Sequence, residues 1–172
     1  MLRRMAGNQR AAITMTEDEV TSFLEQSRTA TMASTGPSGH PHLVAMWYGL
    51  VGAKVCFETK LKSQKVQNLR RDPRITSMVE AGLSYNELRG VAIEGTAVII
   101  DDVTSDEYWA VGISVFERYQ GPYTEEMRPF VEVMMNKRVA IIIEPERVRT
   151  WDHRKLGGPA MPVAGSTAAY LN

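Results

Sequence analysis

The stretch "VCFETKLKSQKVQNLRRDPRITSMVE", Val55 to Glu80, decides how this chain is read. Its opening residues read as the end of a strand. A short polar loop follows, and Ser63 stands where a helix would be capped. Val66 and Leu69 recur at helical spacing and face a core, which turns Lys62, Lys65 and Arg70 outward. The helix runs from about Ser63 to Arg71, and Asp72-Pro73 ends it. "RITSMVE" then reads as the next strand. The unit is strand, loop, short helix, strand.

This unit is also where positive charge collects. Between Glu58 and Arg74, the cations Lys60, Lys62, Lys65, Arg70, Arg71 and Arg74 face only Glu58 and Asp72. The whole chain balances 20 Lys+Arg against 20 Asp+Glu. Free amides and the dipole at a helix N-terminus attract an anion, and Ser63 and Lys65 add a hydroxyl and a point charge. A solvated helix face with a capping serine accounts for the same residues. Local sequence leaves both readings open.

Outward from this unit the pattern is mostly β. Thr16 to Glu19 forms a capping box, with Val20, Phe23 and Leu24 at helical spacing to about Ser27. "RTATMAS", "HPHLVAMWYGL", "KVCFET", "LRGVAIEGTAVII" and "RVAIIIEPERVRTW" read as further strands, with "TGPSGH" a turn. Thr104 to Glu107 forms a second capping box, and Tyr108, Val111, Val115 and Tyr119 fall on one helical face. "GPY" breaks that helix, and Met127, Phe130, Val131 and Met134 mark another. The acid pairs Asp101-Asp102 and Glu125-Glu126 fit helix starts. The expected fold is mainly β or α+β: an antiparallel barrel with peripheral helices.

One strand is unusual. In "HLVAMWYGL", Leu43, Ala45 and Trp47 form one alternating set and Val44, Met46 and Tyr48 the other, and both are apolar or aromatic. An antiparallel strand of this kind needs cover on both faces. A ligand, an appended helix or a second subunit would supply it.

The chain of 172 residues has 44% hydrophobic and 23% charged residues, ordinary for one folded domain. Zero net charge argues against a protein that coats nucleic acid or anionic lipid. The basic stretch also lacks the interleaved aromatics that stack bases. Cys56 is the single cysteine, which excludes an internal disulfide and suits a reducing cytoplasm. The N-terminal residues have no apolar run of the secretory kind, and Val139 to Ile143 is too short to cross a bilayer. His40, His42 and His153 lack metal-ligand spacing, so no metal site is expected. No Gly-rich phosphate loop and no serine nucleophile motif occurs. The residues alone indicate a binder of a phosphorylated aromatic molecule, with no catalytic residue assigned.

"VCFETKLKSQKVQNLRRDPRITSMVE" together with "YNELRGVAIEGTA" resembles the flavin and deazaflavin-dependent oxidoreductase superfamily, the split β-barrel group related to pyridoxamine 5'-phosphate oxidase. The likeness runs from about Thr16 to Trp151. It implies a homodimeric split barrel over residues 16–156, with a flexible tail at 1–15 and another at 157–172. It implies a cofactor at the dimer interface, its phosphate met by Thr59, Ser63 and Lys65 with Lys60 beside them. Ala45, Met46 and Trp47 correspond to the strand against the cofactor ring, partly through backbone atoms, and Asn68 and Trp151 are further candidates. Flavin mononucleotide (FMN) oxidases of this group commonly carry Arg and Lys where this chain has Leu43 and Tyr48. The sequence is most similar to the actinobacterial deazaflavin branch, whose cofactor is coenzyme F420. That resemblance implies hydride transfer to an unsaturated small-molecule substrate. An FMN-dependent oxidase, a non-catalytic carrier and a haem-binding split barrel are the alternatives.

Overall fold

The computed structural model describes residues 9–159; of the expected tails at 1–15 and 157–172, residues 1–8 and 160–172 lie outside the described residues. The helices are α1 (Gln9–Ala12), α2 (Glu17–Gln26), α3 (Gln64–Arg71), α4 (Asp106–Tyr119) and α5 (Arg128–Met135). The strands are β1 (Ala30–Thr35), β2 (Pro41–Met46), β3 (Gly49–Val51), β4 (Lys54–Lys60), β5 (Arg74–Ala81), β6 (Arg89–Ile100) and β7 (Arg138–Asp152). All seven strands join one antiparallel sheet in the order β2-β1-β5-β6-β7-β4-β3, curled into a half-barrel. This is the α+β split-barrel architecture expected.

Local chemistry starts the helices. Thr16 Oγ1 accepts from the Glu19 amide at 3.3 Å, and Glu19 Oε2 accepts from the Thr16 amide at 2.7 Å, so the first capping box forms. The second box does not form, and a single serine cap takes its place. Ser105, not Thr104, caps α4 by accepting from the Tyr108 amide at 3.2 Å, because the Thr104 hydroxyl is bound to Asp102 at 2.6 Å. Asp102 therefore shapes the approach to α4 rather than its first turn.

The single strand expected over "HPHLVAMWYGL" is two strands. The Tyr48 amide donates to Tyr119 Oη at 2.9 Å, and the Tyr48 carbonyl accepts from Arg118 Nε at 2.9 Å. These bonds to α4 take the place of sheet bonds at Trp47-Tyr48, so the chain turns there and β3 pairs with β4 instead.

The concave face of the sheet holds the main core: Met32, Val55, Phe57, Val79, Val91, Ile141 and Ile143 are all nearly inaccessible. Each such side chain contributes roughly 1.5–3 kcal/mol. Val66 and Leu69 of α3 and Phe23 and Leu24 of α2 close this core. On the convex face, α4 and α5 cover only β3, β4 and the first half of β7, burying Cys56, Ala140 and Ile142 against Tyr108, Val111 and Val131. The last residues of the expected N-terminal tail are packed: Met15 is buried, its amide donates to Thr150 Oγ1, and Ile13 accepts from the Asp152 amide.

Candidate functional site

The β4–loop–α3 corner is built as a donor cluster. Ser63 is the N-cap residue of α3, yet it makes no side-chain capping bond. Its Oγ is buried and has no hydrogen-bond partner among the described residues. Lys65 does not point outward as its helical position suggested. It is half-buried and folds back, donating from Nζ to Thr59 Oγ1 at 3.2 Å. Thr59 is itself buried. Behind them Arg138 donates to Glu58 at 2.7 Å.

The electrostatics of this corner follow from burial. Desolvation holds the Lys65 ammonium below its ordinary pKa of 10.5, opposed by Glu58 and reinforced by Arg138. Desolvation also raises Glu58, outweighing the attraction of Arg138. An additional anion beside Lys65 would favour its charged form.

Half of the expected basic stretch is already spoken for. Arg70 pairs with Asp101 at 3.0 Å, Arg74 with Asp72 at 2.7 Å, and Arg71 donates to the Thr35 carbonyl. Lys60 and Lys62 remain exposed around the loop, with Lys65 inside it. Asn68 is fully buried and structural in its bonding: it donates to Ser34 Oγ at 3.1 Å and accepts from Gln64 at 2.8 Å.

The other candidates lie elsewhere. Met46 faces the core, whereas Ala45 and Trp47 are exposed on the convex side, Trp47 at 55%. Cross-strand register extends this side as two rows: Leu43, Ala33, Thr76, Glu94, Arg147 and Ala45, Thr31, Met78, Ala92, Arg149. The next row carries Trp151 opposite Gly90. A Cβ on Gly90 would come within 2.3 Å of the indole, so only glycine lets Trp151 lie there. Gly95 serves the same strand differently, leaving room for the Glu144 carbonyl at a β-bulge.

Thr59, Lys60, Ser63, Lys65 and Asn68 thus gather at one end of the sheet. Ala45 and Trp47 stand at the far end of β2, three and five residues past His42, which pairs with Ser34 beside Asn68. Trp151 lies on β7, four strands along the sheet from β2. One copy of the chain does not bring the three groups together.

Sequence reasoning missed Glu58, Arg138 and Tyr119. An acid among the apolar residues of "VCFE" was the signal for Glu58; Tyr119 stacks on Trp47 at 4.3 Å and 5°, a contact 72 residues apart that local pattern does not reveal. Cys56 is buried, and desolvation pushes its thiol up to about 12. Among the described residues no cluster of three or more His, Cys, Asp or Glu is placed to hold a metal, and no helix is long and apolar enough to cross a membrane.

A curled antiparallel sheet with a hydroxyl- and lysine-lined loop before a short helix defines a split-barrel protein. The chain belongs to the pyridoxamine 5'-phosphate oxidase family, whose model matches residues 16–152. It is similar to the conserved hypothetical protein Rv2991 from Mycobacterium tuberculosis, at 53% identity and TM-score 0.88, over 92% of this chain and 98% of that one. It is similar to an F420 reductase at 26% identity and TM-score 0.55, over 74% of this chain and 93% of that one. The haem storage protein HutZ from Vibrio cholerae shares the fold at 14% identity and TM-score 0.63, over 78% of this chain and 94% of that one. No curated protein gives a significant match.

Proposed function

We propose that the chain is a cytoplasmic, homodimeric reductase that uses coenzyme F420 to transfer hydride to an unsaturated small molecule. The observation that carries this reading is the buried hydroxyl of Ser63, without a partner among the described residues, beside the Lys65–Thr59 pair at the start of α3. A buried hydroxyl without a partner is costly, and a phosphate oxygen would satisfy it. The donor set therefore fits a phosphate ester: the Ser63 and Thr59 hydroxyls, the Lys65 ammonium and the first-turn amides.

Leu43 and Tyr48, where FMN oxidases of this family commonly carry Arg and Lys, favour the deazaflavin over FMN. The 26% identity to an F420 reductase supports the same choice. Exposed Lys60 and Lys62 suit a ligand with acidic groups beyond one phosphate.

The bound deazaflavin supplies the hydride-carrying carbon. Lys65, Ser63 and Thr59 fix the phosphate end, and burial makes their hydrogen bonds strong. Ala45 and Trp47 offer an apolar surface that orients a planar ring and excludes water from it. Because these groups lie apart in one chain, the reading requires a second copy to bring Ala45 and Trp47 of one subunit towards the donor corner of the other.

The test is a fluorescence titration of purified protein with F420 and with FMN, followed by turnover of reduced F420 with unsaturated acceptors. Tight F420 binding with acceptor-dependent oxidation is expected. Preference for FMN with oxygen consumption would replace the reading by an oxidase, and F420 binding without turnover by a carrier.

A further inference from the structure

Trp47 sits outside the sheet ladder, between β2 and β3, and is 55% exposed although one face of its indole is covered. That cover is the Tyr119 ring, stacked at 4.3 Å with planes 5° apart. Tyr119 is itself fixed. Its hydroxyl accepts from the Tyr48 amide at 2.9 Å and lies 2.6 Å from the Arg28 carbonyl and 3.0 Å from the Tyr48 carbonyl, either of which it can donate to. Its neighbour Arg118 binds the carbonyls of Tyr48, Leu24 and Ser27 and lies 4.5 Å over the Tyr48 ring. The C-terminal turn of α4 thus grips Tyr48, the residue after Trp47, at both its amide and its carbonyl, and braces one face of the Trp47 indole.

We infer that Tyr119 is a positioning residue: it holds the Trp47 indole flat so that the opposite face is presented, beside Ala45, to the planar ring of a bound ligand. The inference rests on the proposed cofactor reading. A free tryptophan at a strand end samples several rotamers, and stacking onto a fixed tyrosine removes that freedom before a ligand arrives. Offset or parallel aromatic contact adds a modest attraction beyond burial. Tyr119 does not touch the ligand in this scheme, and its effect passes through Trp47.

A double-mutant cycle tests this. F420 affinity is measured by fluorescence for wild type, Tyr119→Leu, Trp47→Leu and the double variant, with Tyr119→Phe as the conservative variant. Tyr119→Leu is expected to weaken binding roughly three- to tenfold. Tyr119→Phe keeps the stacked ring but loses the hydroxyl that anchors it to Tyr48 and Arg28, so its loss is expected to lie between wild type and Tyr119→Leu. In the Trp47→Leu background the Tyr119→Leu effect should vanish, because nothing remains for it to position. Additive losses, or a loss in Tyr119→Leu that tracks only a lowered melting temperature, would overturn the positioning role and leave the cofactor reading intact. Wild type that binds neither F420 nor FMN would sink the cofactor reading and this inference with it.

Discussion

The convex face of this sheet has two halves that differ in what covers them. Over β3, β4 and the start of β7, helices α4 and α5 bury Cys56, Ala140 and Ile142, with Ile142 only 8% exposed. Over β2, β1, β5 and the near part of β6, no element among the described residues is packed, and Leu43 and Met78 are 63% and 36% exposed. The uncovered half also carries Thr31, Thr76, Glu94, Arg147 and Arg149, but its apolar members Leu43, Ala45, Met78 and Ala92 do not by themselves distinguish it from the covered half. What separates them is that "YWAVGISVFERY" and "RPFVEVMM" fold back over one half only. The uncovered half is the face we assign to a second copy of the chain.

A charge placed on each half is the strongest way to break this comparison. Ile142→Asp buries a carboxylate under α4 and should cost more than about 3 kcal/mol, seen as a large drop in melting temperature or failure to fold. Leu43→Asp should leave the stability of a single chain within about 0.5 kcal/mol and shift sedimentation from dimer to monomer. It should also abolish F420 binding, since Ala45, Trp47 and the Lys65 corner lie apart in one chain. A Leu43→Asp protein that stays dimeric, or a wild type that is monomeric at micromolar concentration, assigns the exposed half to something else.

Next in size is Lys65→Ala, at the corner of the sheet that α3 closes. Charge-assisted bonds to phosphate contribute on the order of 1.5–3 kcal/mol, so F420 affinity should fall roughly tenfold to a hundredfold. The pH dependence has a definite sign. Lys65 must be protonated to hold the phosphate, and desolvation lowers its pKa from 10.5. Affinity is therefore full at neutral pH and declines as pH rises towards that lowered pKa, earlier than for an ordinary lysine. Lys65→Arg should remove the alkaline decline, whatever its effect on affinity at neutral pH. A pH-independent affinity in wild type up to the alkaline limit of folding would remove Lys65 from the site.

Much of this was legible in the sequence, for reasons of range. The capping box at Thr16, the α3 boundaries and the strand–helix–strand unit depend on neighbours within a few residues, and they appear as expected. The break at Trp47-Tyr48 depends on Arg118 and Tyr119, about seventy positions away, and local alternation could not reveal it. Lys65 sat on the predicted outer side of its helix, but its long stem lets the ammonium return to Thr59. Asn68 was named as a ligand contact, whereas its amide is engaged with Ser34 and Gln64. The doubly apolar strand was expected to need cover on both faces; the structure packs Val44 and Met46 on the core and leaves Leu43, Ala45 and Trp47 exposed.

Gly90→Ala sharpens the uncovered half. The new Cβ meets the Trp151 ring at 2.3 Å, so the indole must lift from the sheet. Half-exposed, it has room to do so, which puts the cost near the low end of overpacking, about 1 kcal/mol. A change in Trp fluorescence should accompany it, and dimer affinity should fall if Trp151 lies within the interface.

The smallest effect belongs to the exposed cations that the sequence grouped with Lys65. Arg70 and Asp101 pair at 3.0 Å with side chains 42% and 65% exposed, so water and salt screen them. Such pairs contribute about 0–1 kcal/mol. Arg70→Ala should lower the melting temperature little and change F420 affinity by less than about threefold at low salt, with the difference fading as salt rises. The contrast with Lys65→Ala is the informative quantity, because both residues belong to one eight-residue helix. One is folded into a buried hydroxyl cluster and the other is neutralised in solvent. If Arg70→Ala weakens binding as much as Lys65→Ala and both losses vanish in salt, the helix binds through its outer face as a diffuse charge, and the Ser63 hydroxyl has no part in holding a phosphate.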